Sequence, residues 1–264
     1  MTHNFLDQIR NTKQKEVATK KQRVSLSFLK KRAVPTRNKT RDFISAITCM
    51  YRGNVGLIAE IKLASPSWGN LGERSEAIQR VKNYQEAGAD AISVVVDKTY
   101  FNGDMDLLSE VKEISSLSVL CKDFIIDEYQ IYEAKFHGAD AVLLIASLLN
   151  TRELKTFVKL IVSLGIEPVV ELSEKNELKK VMESGAKIIS VNARNFSDFS
   201  VDVDRACRLL KMIPDTFVKI GFSGVKSSED VVKYKNAEAK AVLVGTSLMR
   251  ANNVLQLIHK LKGL

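Results

Sequence analysis

From Gly56 onward, short apolar runs rich in β-branched residues alternate with longer segments in which apolar residues recur at helical spacing. The apolar runs predict eight strands, at 56–62, 91–96, 117–121, 141–146, 166–171, 187–191, 216–220 and 241–244. The amphipathic segments predict helices at 75–88, 104–114, 127–137, 151–164, 174–184, 202–212 and 227–235, with a closing helix at 252–262. Strands that alternate with helices in this way pair in parallel through right-handed crossovers.

A four-residue pattern recurs before every second strand. Gly88-Ala89-Asp90-Ala91, Gly138-Ala139-Asp140-Ala141, Gly185-Ala186-Lys187-Ile188 and Ala237-Glu238-Ala239-Lys240 follow one another at intervals of 50, 47 and 52 residues. Two β/α units repeated four times are typical of a closed eight-fold barrel. An open doubly wound sheet is the alternative, but no glycine-rich nucleotide loop follows the first strand. We therefore predict an α/β fold, a single-domain eight-stranded parallel β/α (TIM) barrel with extra N-terminal helices.

The segment before the barrel has a looser helical pattern. Apolar residues spaced among charges predict helices over 5–34 and 42–51, separated by Pro35 and the polar residues after it. We expect residues 1–52 to form a helical extension packed on the barrel and residues 53–264 to form the barrel domain. A chain of 264 residues is ordinary for one α/β barrel.

The net charge of +9 comes from the first part of the chain. Residues 1–42 contain 12 Lys or Arg against 3 Asp or Glu, whereas residues 43–264 contain 28 of each sign. A nucleic-acid or membrane-surface role is one reading of such a segment, but no recognisable module or interleaved aromatic residues accompany it. We expect instead a solvated basic helix beside a site for a small anionic substrate, with no nucleic-acid or membrane partner.

Three cysteines, Cys49, Cys121 and Cys207, form neither an even set nor a close-spaced metal pattern. They favour a reduced, cytoplasmic compartment and no metal site, and Cys121 is expected to pack into the helix layer. No apolar run approaches the roughly 20 residues of a membrane helix, and the N-terminal residues contain no signal-peptide core. We expect a monomer or a weak homodimer.

Polar residues end several of the predicted strands, where β/α barrels place their working side chains. Glu60 and Lys62 lie two apart at the end of strand one, so they share one face. A structural ion pair closing that strand is an equally reasonable interpretation. The other polar or aromatic residues at strand ends are Ser65, Lys122, Asp123, Phe124, Glu171, Asn192 and Arg194.

Two lysines and two glutamates at the carboxyl ends of the predicted strands suit acid–base chemistry. Burial lowers the pKa of a lysine and raises that of a glutamate, so each can exchange a proton near neutral pH. A lysine Schiff base is the alternative chemistry.

Small residues after strands seven and eight let backbone N–H groups approach an anion, which predicts a phosphate site at Ser223, Gly224, Gly245, Thr246 and Ser247. Trp68, Phe101 and Phe124 could line a pocket for an aromatic ring.

Several motifs resemble indole-3-glycerol phosphate synthase of tryptophan biosynthesis. They are IAEIKLASPS, SVVVDKTYFNGD, VLCKDFIID, YQIYEAKFHGADAVLLIASLL, VVEL, IISVNARNF, SGV and VLVGTSLMR, and the resemblance covers nearly the whole chain. It implies a carboxy-lyase that closes 1-(2-carboxyphenylamino)-1-deoxyribulose 5-phosphate to indole-3-glycerol phosphate. Carbon dioxide and water are lost, and no cofactor is needed.

The resemblance also implies roles for residues. Lys122 matches the general acid that protonates the ribulose carbonyl oxygen, and Glu171 matches the general base of later proton removal and dehydration. Lys62 matches the lysine that holds the substrate carboxylate, and its share in dehydration relative to Lys122 stays open. Glu60 and Asn192 would orient these groups. The other implied contacts are Ser65 and Arg194 in the polar lining, Ser223, Gly224, Gly245 and Thr246 at the phosphate, and Pro66, Phe101, Phe124 and Leu143 around the anilino ring.

The chain departs from the family pattern at three positions. Phe222 stands where a glutamate is usual, Trp68 where a small basic residue or glycine is usual, and Val96 where threonine is common. Phe222 leaves open a catalytically weakened paralogue that binds a phosphorylated ligand or a partner protein. A second alternative is a sugar-phosphate isomerase such as phosphoribosylanthranilate isomerase. That enzyme needs a Cys/Asp or paired-Asp proton shuttle, and this chain offers Lys and Glu at the strand ends.

Overall fold

The structure, a computed structural model, describes residues 5–33, 40–48, 54–195 and 198–264. Eight parallel strands form a closed barrel in which each strand pairs with its neighbours in chain order and the last pairs with the first. They are β1 (Gly56–Ile61), β2 (Ala91–Val95), β3 (Ser118–Lys122), β4 (Ala141–Ile145), β5 (Glu167–Leu172), β6 (Ile188–Asn192), β7 (Val218–Phe222) and β8 (Ala241–Val244). The predicted barrel is confirmed.

Three helices precede the barrel: α1 (Phe5–Arg23), α2 (Leu26–Ala33) and α3 (Phe43–Thr48). The others are α4 (Arg74–Glu86), α5 (Lys98–Phe101), α6 (Met105–Ile114), α7 (Glu128–Phe136), α8 (Thr151–Ser163), α9 (Leu178–Met182), α10 (Val203–Leu210), α11 (Ser228–Asn236), α12 (Thr246–Met249) and α13 (Val254–Lys262). A short antiparallel hairpin pairs Ala64–Ser65 with Gly69–Asn70 after β1.

The predicted helices differ from the observed ones in a few places. The single helical region predicted over 5–34 is two helices, because Ser25 lies between α1 and α2 and its hydroxyl caps α2, accepting a hydrogen bond from Phe28 N at 3.2 Å. The helix predicted over 174–184 shortens to α9, preceded by a 3₁₀ turn. Pro35, Cys49 and the end of the helix predicted over 42–51 lie outside the described residues.

The barrel strands are buried on both faces. Every residue of β1, β2, β4 and β6 is buried, and their apolar side chains belong to one continuous hydrophobic core. Parallel strands covered by helices read as unbroken apolar runs for this reason, and the runs were therefore recognisable in the sequence. Cys121 is fully buried in this core, in agreement with its predicted packing role.

The N-terminal helices pack against the barrel, with α2 against α7 and α3 against β1. Their basic side chains meet carboxylates of the barrel: Lys20 lies 2.8 Å from Glu133, and Lys21 lies 2.7 Å from Asp127. The basic excess is thus partly matched within the chain, whereas the sequence predicted only a solvated basic helix. In the part of the chain that the structure describes, no helix has the length and apolar character needed to cross a membrane.

Candidate active site

The carboxyl ends of the strands surround a cavity of about 450 Å³. Its lining includes most of the predicted residues: Glu60, Lys62, Phe101, Lys122, Phe124, Leu143, Glu171, Asn192, Arg194, Ser223, Gly224, Gly245 and Thr246. Two predicted residues stand apart from it. Ser65 is buried in the hairpin, where its hydroxyl has no hydrogen-bond partner among the described residues. Pro66 is exposed.

Glu60 lies between the two lysines. Lys62 Nζ is 2.9 Å from its Oε1, and Lys122 Nζ is 3.6 Å from its Oε2. Burial alone would raise the pKa of Glu60, but the charges of Lys62 and Lys122 offset it, and the pKa lies below the ordinary value. The general expectation that a buried glutamate is pushed toward neutrality is therefore wrong for Glu60. This residue is an ionised bridge that fixes both ammonium groups.

Glu171 has a different environment across the cavity. It is 1% exposed, its Oε1 accepts a hydrogen bond from Asn192 Nδ2 at 3.2 Å, and its Oε2 has no hydrogen-bond partner among the described residues. Burial raises the pKa of Glu171, and the charge of Lys122 opposes only part of that effect. One carboxylate is thus held ionised and the other is pushed toward neutrality, as acid–base sites commonly arrange.

An aromatic and aliphatic wall closes one side of the cavity. Phe101 ends α5, and the carboxylate of Asp97 caps that helix by accepting a hydrogen bond from Tyr100 N at 2.7 Å. The ring of Phe101 lies 6.2 Å from that of Phe124, between ring centroids. Leu143, on β4, adds a buried aliphatic surface. All three residues line the cavity, and such an apolar wall suits a planar aromatic group.

The loops after β7 and β8 close the opposite end. Ser223 and Gly224 both have positive φ, 68° and 81°, and Tyr234 donates a hydrogen bond from its hydroxyl to Ser223 O at 2.9 Å. Gly245 allows close approach, because a Cβ there would lie 2.3 Å from Glu60 Oε1. The helix that follows, α12, spans four residues, so local N–H groups rather than a long helix dipole would meet an anion here.

Some cavity residues were missed in the sequence. Asp97, Lys226 and Arg250 line the cavity, and the Arg250 guanidinium lies 3.9 Å from the centroid of the Trp68 ring. Asp97 ends an apolar run just as Glu171 does, so the rule of collecting polar residues at strand ends would have found it. Phe222, buried at the end of β7, also lines the cavity.

No group of three or more His, Cys, Asp or Glu side chains is arranged to hold a metal ion in the described ranges of the chain. The side chains described above bring together two lysines, an ionised carboxylate between them and a carboxyl of raised pKa. Together, the fold and this site define an acid–base enzyme of the β/α-barrel class.

The comparisons with known proteins name the family. The family model for indole-3-glycerol phosphate synthase matches residues 6–261. The indole-3-glycerol phosphate synthase of Ruminiclostridium cellulolyticum is 39% identical over 260 residues, 98% of this chain and 99% of that protein. That of Lacticaseibacillus paracasei is 41% identical over 226 residues, 86% of each chain. The chain belongs to the indole-3-glycerol phosphate synthase family.

A solved structure adds evidence on the fold alone. 3-Hexulose-6-phosphate synthase from Salmonella typhimurium matches with a TM-score of 0.65 at 16% identity, and the match covers 79% of this chain and 97% of that one. At so low an identity the likeness concerns the barrel and not the chemistry. The resemblance drawn from the motifs is confirmed by the family model, whereas the roles of individual residues stay predictions.

Proposed function

We propose that this cavity carries out the indole-3-glycerol phosphate synthase reaction, closing 1-(2-carboxyphenylamino)-1-deoxyribulose 5-phosphate to indole-3-glycerol phosphate with loss of carbon dioxide and water. The observation that carries the proposal is the placement of Lys122 and Glu171. They enter one cavity from β3 and β5, one as an ammonium and the other as a carboxyl of raised pKa. A proton donor and a proton acceptor therefore face the same bound molecule.

The first step is ring closure. The aromatic carbon that bears the carboxylate attacks the ribulose carbonyl carbon, and Lys122 Nζ gives a proton to the carbonyl oxygen as the C–C bond forms. The carboxylate then leaves as carbon dioxide, and its bonding electrons restore the aromatic ring. Glu60, 3.6 Å from Lys122 Nζ, keeps that ammonium directed into the cavity. General acid catalysis of this kind contributes about 10²–10⁴ in rate.

The second step is dehydration. The hydroxyl formed at the former carbonyl carbon leaves as water with a proton from a lysine, and Glu171 takes a proton from the substrate to complete the indole. Asn192 holds Glu171 by the hydrogen bond to Oε1, which leaves the buried Oε2 without a hydrogen-bond partner among the described residues and available for this proton. Lys62, fixed by Glu60 at 2.9 Å, binds the substrate carboxylate before it is lost.

Substrate binding uses the two ends of the cavity. The anilino ring packs between Phe101, Phe124 and Leu143, and the phosphate lies at Ser223 and Gly224 on one loop. The rest of the phosphate site and the polar lining consist of Gly245, Thr246, Lys226, Arg250 and Arg194. A basic cavity of this kind suits a ligand that carries both a carboxylate and a phosphate.

We also propose a cytoplasmic location and a monomeric or weakly dimeric state, on the cysteine pattern and the absence of any partner signal in the sequence.

The test is to incubate the purified chain with the carboxyphenylamino ribulose phosphate and follow indole fluorescence. We expect turnover that is lost in Lys122→Ala and Glu171→Gln. One observation favours a second function: Phe222 puts a buried aromatic ring, and no carboxylate, at the end of β7. A chain that binds the substrate without converting it would be the weakened paralogue, and equilibrium binding measured alongside turnover separates the two.

A further inference from the structure

Lys13, in the middle of α1, is buried although it belongs to the N-terminal extension. Its side chain is 3% exposed, and its Nζ lies 2.7 Å from Asp97 Oδ2 and 2.7 Å from Asp123 Oδ1. Glu16 completes the group at 3.0 Å. One ammonium therefore meets three carboxylates, two of which are themselves buried. Buried charges of this kind are retained only when they are paired.

The two buried carboxylates belong to the wall of the cavity. Asp97 lines it and caps α5, the helix that ends in Phe101. Asp123 lines it as well and directly follows Lys122, and its Oδ2 accepts a hydrogen bond from Gln130 Nε2 at 3.2 Å. Lys13 contacts both from behind the wall. It thus joins the segment that carries an aromatic wall residue to the segment that carries the proposed acid.

The rest of α1 follows the same rim. Glu16 accepts a hydrogen bond from Thr99 Oγ1 at 2.7 Å, and the ring of Phe5 lies 5.3 Å from that of Tyr100. Phe5 also lies 5.0 Å from Phe199, in the loop after β6. These contacts place α1 across the loops after β2 and β6 at the carboxyl ends of the strands. The extension is therefore part of the support of the cavity.

The charge of Lys13 is secured by its neighbours. Burial would lower the pKa of Lys13, but the carboxylates of Asp123 and Asp97 more than offset it and raise the pKa above its ordinary value. The ammonium offsets one of the three carboxylate charges of Asp97, Asp123 and Glu16, so its loss would leave this group more negative. Burial raises the pKa of Asp97 above its ordinary value, and the charge of Lys13 opposes that effect. Asp97 and Asp123 line the cavity that is proposed to take a carboxylate and a phosphate.

We propose that Lys13 is a positioning residue for this reaction: it offsets one of the two negative charges of Asp97 and Asp123 from outside the cavity and thereby favours an anionic substrate beside Lys122. The role rests on the proposed function. Lys13 does not line the cavity itself, so its effect passes through the two aspartates. It follows that substrate affinity depends on the net charge of this group, and not only on its packing.

Three variants test this dependence. Lys13→Met removes the positive charge of the ammonium and keeps a side chain of similar length. Asp97→Asn removes one carboxylate, while an amide oxygen still caps α5. The double variant restores the net charge of the group to its wild-type value. Lys21→Met is the matched control, because Lys21 lies on the same helix in a half-exposed ion pair with Asp127. KM and kcat are measured by indole fluorescence, and circular dichroism checks the fold.

We expect KM to rise roughly tenfold in Lys13→Met, the size of one uncompensated charge acting across a cavity. In the double variant KM returns most of the way to wild type, in Asp97→Asn it falls below wild type, and in Lys21→Met it is unchanged. A folded Lys13→Met with wild-type KM overturns the proposal, and so does a double variant as impaired as the single one.

The remaining outcomes are equally decisive. If Lys13→Met does not fold, the KM of Asp97→Asn tests the proposal instead. A KM of Asp97→Asn equal to or above that of wild type contradicts the electrostatic role of Lys13. A wild-type chain with no turnover at all would overturn the proposed function, and the kinetic role of Lys13 with it. An active wild type with unaffected variants removes the role of Lys13 alone.

Discussion

Replacing Glu171 by glutamine separates the catalytic value of one buried carboxyl from its cost to stability. The amide keeps the oxygen that accepts the hydrogen bond from Asn192, so the local geometry is retained. What is lost is the group that takes a proton. A general base is worth about 10²–10⁴ in rate, or about 3–5 kcal/mol of activation free energy. We expect kcat to fall by at least about a hundredfold, with KM changed little.

The same substitution is expected to stabilise the protein. The pKa of Glu171 is raised above its ordinary value of 4.5 by burial, so the folded state holds the proton at pH values where the unfolded state has lost it. The free energy of unfolding of the wild type therefore falls as pH rises through that window. Each unit of such a shift costs about 1.4 kcal/mol, and each kcal/mol moves the melting temperature by about 2–4 °C in a domain of this size.

The assay pairs indole fluorescence with thermal unfolding from pH 4 to pH 8. Glu171→Gln should melt above wild type at pH 8. The two melting temperatures should converge near pH 4, where Glu171 of the wild type is mostly protonated in both the folded and the unfolded state. Glu167→Gln is the control, because Glu167 begins the same strand at the other end of the barrel and burial also raises its pKa. It should gain stability without losing turnover. A wild-type kcat in Glu171→Gln would refute the role of Glu171 as the general base. A melting temperature of Glu171→Gln below that of wild type at pH 8 would refute the stability reasoning.

Three further substitutions probe the rest of the cavity. Lys122→Met should lower kcat by about 10²–10⁴, and single-turnover fluorescence would contradict the acid role if product still formed at the wild-type rate. Gly245→Ala should impair turnover and lower the melting temperature, because its Cβ would lie 2.3 Å from Glu60 Oε1; a fully active variant would show that Glu60 can move without consequence. Tyr234→Phe, which loses the hydrogen bond to Ser223 O, should cost about 1 kcal/mol of stability and raise KM several-fold at constant kcat. An unchanged KM would remove that loop from the phosphate site.

The barrel was predictable because its strands are buried on both faces, and such strands appear as uninterrupted apolar runs. Their ends were less certain: β3 and β7 reach Lys122 and Phe222, beyond the predicted ends at 121 and 220. The polar Lys122 still pairs with Val95 in the sheet. The short helices α5 and α12 were missed, since four residues carry no periodicity that a sequence window can detect.

The site was predictable to the extent that it follows from strand ends. Glu60, on β1, and Lys62, directly after its last residue, share a face because they lie two apart, and their 2.9 Å contact agrees with that spacing. The opposite pKa shifts of Glu60 and Glu171 could not be predicted, because both are buried glutamates at strand ends. The difference arises from how many ammonium groups approach each one, which only the closed barrel determines.

The two interpretations of Glu60 and Lys62 are in fact compatible. The pair is a structural ion pair, since Glu60 lies buried at the end of β1 and fixes Lys62 at one oxygen. It is also a component of the proposed chemistry, because the other oxygen meets Lys122. An ion pair that only closed a strand would need one cation. The second cation, delivered from β3, raises the positive charge of the cavity above what stability alone requires, and an anionic substrate would offset that excess.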